Sequence, residues 1–133
     1  MQRDRGSVTL GFALVVVVMM FAVGVSLVGS AAISYATAAT AADAAALAAA
    51  PVTFRPFGAS GSARSEAARF ARSNGAVLVV CRCPMDRSWR KRTVTITVAH
   101  TVRLPIIGPT TTHATSRATF DPSALIGPAG PLR

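Results

Sequence analysis

The chain has 133 residues, 51% of them hydrophobic, and a formal net charge of +9. Setting aside an apolar N-terminal stretch leaves about 80 residues, which excludes a multidomain enzyme and leaves room for one small domain. The charge excess lies wholly in residues 51–133, where Glu66, Asp86 and Asp121 are the only carboxylates, and such a domain points to acidic partners: phospholipid headgroups, anionic wall polymers, nucleic acid or an acidic protein groove.

The first element is residues 8–33, which contain no charged side chain. A helix needs roughly 20 apolar residues to cross a bilayer, so this stretch is long enough to span. Arg3 and Arg5 flank its start, and the positive-inside rule puts that end in the cytoplasm and the rest outside. A cleavable secretory signal has a shorter apolar core followed by a small-residue cleavage site. Here the core is longer and runs into helix-forming Ala, which predicts a retained transmembrane helix.

Residues 31–50, AAISYATAATAADAAALAAA, contain no Gly or Pro and are rich in Ala, the best helix former. Pro51 is expected to end the helix. Residues 7–50 then read as one helix, roughly 66 Å long. Ala22, Ser26, Ser30, Ser34, Ala38 and Ala42 recur at i+4 spacing, a stripe that lets another helix approach closely in lipid; an Ala-rich helix also produces such stripes by chance. Asp43, the one charge in this helix, is either solvated just past the membrane or an ion-pair partner for an Arg of a neighbouring copy.

Arg3-Asp4-Arg5-Gly6-Ser7-Val8-Thr9, the apolar run, and the Ala-rich segment from Ala41 to Ala50 around Asp43 together resemble the TadE/TadG-like proteins. These are minor pilins or pseudopilins of the Flp (tight adherence) type IV pilus systems. In that family a prepilin peptidase cuts after a Gly that closes a short basic leader. The resemblance therefore implies Gly6 as the last leader residue and Ser7 as the mature N-terminus. The family carries Glu at the fifth mature position, where this chain has Gly11. The resemblance also implies the pilin plan, in which a long N-terminal helix bears a small antiparallel sheet.

Residues 51–61, with two Pro and two Gly, read as a linker. Residues 62–74 form a short amphipathic helix with Ala63, Ala67, Phe70 and Ala71 on one face and Arg64, Arg69 and Arg72 outward. Ser62 or Ser60 is its expected cap, and Asn74-Gly75 its stop. Ala76–Cys83 is a strand candidate, residues 84–92 a basic loop, and Thr93–Leu104 a clear alternating strand. In that strand Val94, Ile96, Val98, Val102 and Leu104 share a face with His100, while Thr95, Thr97, Thr101 and Arg103 face the other way. Residues 105–109 form a turn, Thr110–Phe120 a third strand with Ala114, Ala118 and Phe120 facing in, and residues 121–133 a mobile tail. The expected class is α+β: a pilin-like transmembrane helix, then a small exported domain over 62–120.

Cys81 and Cys83, at i and i+2 of a strand, would have Cα atoms roughly 6.5–7 Å apart, at or beyond the usual disulfide limit. They are expected to pack in the core, or to pair with another subunit or redox partner. With His100 and His113 they are arithmetically a Cys2His2 set, but the spacing matches no finger pattern, so no metal and no cofactor is expected. The sequence has no G-x-S-x-G and no Gly-rich phosphate loop, and its few carboxylates are scattered, which points away from catalysis. Arg82, Arg87, Trp89, Arg90, Lys91 and Arg92 form the candidate anionic-partner patch. It reads as a solvated loop whose Trp covers a small core, as a membrane or wall contact, or as a nucleic-acid contact.

The expected role is structural and non-enzymatic, as a TadE/TadG-like component of a Flp-type pilus or related secretion apparatus. Its partners would be other pilin subunits, the assembly machinery, the prepilin peptidase and the cytoplasmic membrane. The alternatives are a basic cell-surface nucleic-acid-binding protein and a plain single-pass anchor.

Overall fold

The computed structural model describes residues 5–54, 61–104 and 107–127, with side chains from Thr9 onward. Helix α1 runs from Arg5 to Val52. It is followed by helix α2 (Ala63–Ser73), strands β1 (Val77–Arg82), β2 (Arg92–Leu104) and β3 (Gly108–Phe120), and a 3-10 helix at Pro122–Leu125. This is the expected α+β layout. The chain divides into two compact units, one ending at Ile33 and one beginning at Ser34.

In the first unit, large apolar side chains stand exposed all round the helix, among them Leu10, Phe12, Met20, Phe21, Val28 and Ile33. None of its most apolar window is buried, and α1 is long and apolar enough to cross a membrane. The polar groups are satisfied within the helix. Ser26 donates its hydroxyl to the Ala22 carbonyl at 2.8 Å, and Ser30 to that of Ser26 at 2.8 Å. A side chain that bonds back to the preceding turn presents no unsatisfied hydroxyl hydrogen.

The second unit is built on the Ala-rich half of α1. Ser34, Ala38, Ala41, Ala42, Ala45, Ala46, Ala49 and Ala50 are buried, and the alanines join Ala63, Ala67 and Ala71 of α2 and Val94, Ile96 and Val98 of β2 in one core. Alanine leaves the helix backbone close to whatever covers it, so β-branched residues of the central strand fill the remaining volume. The folded unit therefore starts at Ser34 rather than at residue 62. Pro51 lies inside the last turn rather than beyond it; its missing N–H removes only one terminal helix bond.

The segment expected as a linker over 51–61 begins as core. Thr53 and Phe54 are buried, and Phe54 bridges Asp86 in parallel; residues 55–60 lie outside the described residues. Helix α2 is capped by Ser62, whose hydroxyl accepts the Ser65 N–H at 3.0 Å while Ser65 Oγ accepts the Ser62 N–H at 3.1 Å. Serine thus occupies the place of the usual Glu or Gln in a capping box. Glu66, one position on, instead pairs with Arg69 at 2.7 Å.

The strands form an antiparallel sheet in the order β1-β2-β3. The β2–β3 register is regular from Arg92↔Phe120 to Leu104↔Gly108, while β1 carries a bulge between Leu78 and Val80. The connecting turn has Gly108 at φ 86°, a left-handed conformation that glycine adopts without a Cβ clash; Pro105 and Ile106 lie outside the described residues. The expected mobile tail is ordered at its start. Asp121 caps the 3-10 helix by accepting the Ser123 N–H at 3.0 Å, and Pro122 is buried. Residues 128–133 lie outside the described residues.

Candidate functional site

The loop between β1 and β2 is organised by Arg92. Expected in the exposed patch, it is instead only 7% exposed. Its Nη1 donates to the Thr53 carbonyl at 3.1 Å and to that of Asp86; its Nη2 donates to the Ser88 and Arg90 carbonyls. A planar fork of donors suits converging carbonyls, so this cation holds the loop to the end of α1 and does not face an outside partner. Its guanidinium also lies 5.4 Å from the Phe54 ring centroid.

Trp89 packs edge-on to Phe54, with ring centroids 4.9 Å apart. Its side chain remains half exposed. Arg87, Arg90 and Lys91 are exposed. Asp86 accepts the Ser88 N–H at 2.9 Å and its hydroxyl. These bonds, with Arg92 and Arg90 nearby, hold its carboxyl below the ordinary aspartate range. Arg82 belongs elsewhere: it ends β1 opposite Thr95, on the face of the sheet away from the core.

The small-residue stripe divides between the two units. Ser34, Ala38 and Ala42 are buried in the protein's own core, so they are not available to a neighbouring helix, contrary to the stripe as read over its full length. Ala22, Ser26 and Ser30 remain on the surface of the first unit. Asp43 is exposed. Gly6 and Ser7 fall in the first turns of α1, which begins before the expected Ser7; residues 1–4, including Arg3, lie outside the described residues.

Cys81 and Cys83 form a disulfide with each other, their Cα atoms 5.4 Å apart. This corrects the expectation of core thiols or of pairing with another subunit. The strand ends at Arg82, so Cys83 leaves the extended path and comes within bonding distance. His100 Nδ1 lies 2.7 Å from the Gly75 carbonyl, on the core side, whereas His113 is exposed on the opposite face. Among the described residues no three His, Cys, Asp or Glu side chains cluster to hold a metal ion.

Phe54 and Thr53 were not among the residues singled out from sequence. Phe54 sits between two prolines in a Gly-containing stretch, and its only signal was a bulky apolar residue in a supposed linker. No family model matches this chain, and neither a curated protein nor a solved structure does.

Proposed function

We propose that this chain is a single-pass membrane protein of the minor-pilin type, a structural subunit like the TadE/TadG-like components of Flp pili or a related secretion apparatus. The observation that carries this is α1 itself. One helix supplies both an apolar stretch exposed on every side and, past Ser34, the Ala face on which the second unit is built. A soluble protein would not leave so much apolar surface uncovered. A simple anchor would not need its helix to continue as the core of the domain it carries.

In this reading the first unit lies in the cytoplasmic membrane with its N-terminus inside, and Ala22, Ser26 and Ser30 meet neighbouring subunits. Gly6–Ser7 is the peptidase junction. The nucleic-acid alternative has less support, because Arg92, one of the cations it relied on, is buried and spent on the protein's own carbonyls.

Topology is tested by placing a new cysteine at exposed Ser123 and labelling intact cells with a membrane-impermeant maleimide. The proposal expects labelling before lysis and retention of the chain in the alkali-washed membrane fraction. Labelling only after lysis, or release by the alkaline wash, contradicts it.

A further inference from the structure

Among the described residues, no layer covers the outer face of the sheet. It is lined by Val77, Val80 and Arg82 of β1, by alternate residues of β2 from Thr93 to Arg103, and by the matching residues of β3. Three cross-strand threonine pairs run along it: Thr93–Thr119 at 3.3 Å, Thr97–Thr115 at 2.9 Å and Thr101–Thr111 at 3.0 Å. Arg82 and Arg117 both stand opposite Thr95, which sets two guanidinium-bearing positions in one row, roughly 9.5 Å apart at the usual strand spacing. Arg103 lies on the same face towards the other end. The three strands contain no Asp or Glu, so nothing in the sheet neutralises these cations.

We propose that this face is a docking surface for an extended acidic glycan, a polymer with carboxylates spaced along a hydroxyl-rich backbone. The charge is complementary, and a guanidinium receives a carboxylate through two parallel hydrogen bonds. Each threonine pair keeps one hydroxyl hydrogen and several lone pairs beyond its internal bond, matching sugar hydroxyls between the charged points. The row from Arg82 to Arg117 is comparable in length to a disaccharide repeat. No Phe, Tyr or Trp occupies these positions to stack a nucleobase; their one aromatic ring is His113, opposite Ala99. A second copy of the same face would set arginine against arginine. This surface is distinct from the helix stretch proposed above for subunit assembly.

The test uses the full chain in detergent micelles, titrated with polygalacturonate at low salt and, as a control of identical backbone without charge, its methyl ester. Arg82→Gln with Arg117→Gln is expected to weaken polygalacturonate binding by about tenfold or more, with circular dichroism unchanged. Arg87→Gln, Arg90→Gln and Lys91→Gln together are expected to change it by less than about threefold. Thr97→Val with Thr115→Val, which keeps shape and strand preference, is expected to weaken it measurably. Absent binding to polygalacturonate, equal binding to its methyl ester, loss only in the loop variant, or tighter binding to single-stranded DNA or phosphatidylglycerol vesicles would overturn the proposal.

Discussion

Arg92 illustrates how one side chain converts a basic loop from a flexible tether into part of a fold. A buried cation is tolerated only when hydrogen bonds surround it, and four carbonyls converge here. Arg92→Ala would leave them without that donor, and is expected to cost about 2–3 kcal/mol, read as a lower urea midpoint. The neighbouring exposed Lys91→Ala should stay within about 0.5 kcal/mol. Asp86 belongs to the same loop. Its carboxyl titrates below the ordinary range, chiefly through the Ser88 side-chain hydrogen bond. A depressed folded value means its contribution is fully present above the unfolded value, about 3.9, and is lost as pH falls through the folded one. Urea midpoints are therefore expected to decline below about pH 4, with Asp86→Asn removing part of that slope. Neither role was visible from residue order alone. Arg92 reads as one more charge in a basic run, and its Thr53 acceptor lies 39 positions away.

At the scale of elements, periodicity was legible where side chains differ strongly in polarity. The alternation of β2 marked Val94, Ile96 and Val98 as core, and all three are fully buried. The amphipathic pattern of α2 likewise placed Ala63, Ala67 and Ala71 inward. The Ala-rich half of α1 was legible as helix but not as core, because alanine on every side gives no apolar face to read. The cysteine pair was misread because the strand was extended to Cys83, one residue too far. The burial of these α1 alanines makes a sharp prediction. Ala45, fully buried, has no room for a larger side chain, so Ala45→Leu is expected to destabilise by about 1–3 kcal/mol through overpacking. Thermal unfolding followed by circular dichroism checks this, with exposed Leu47→Ala as the comparison expected to change little.

For the whole molecule, the proposed reading gives a small domain the advantage of being built on a helix that the membrane holds at its other end. In the proposed reading the apolar unit answers to the membrane and to neighbouring helices, while the second unit folds on the Ala-rich half of α1. Ser26→Leu with Ser30→Leu is expected to reduce crosslinking between subunits in native membranes severalfold, whereas the same change in the second unit would attack the fold itself. The central claim, that this is a processed pilin-type subunit, is tested most directly by mass spectrometry of the N-terminal peptide of the chain from its native membrane. A first residue of Ser7 is the predicted result. A chain still beginning at Met1 or Gln2, or one beginning beyond Ala31, would contradict it.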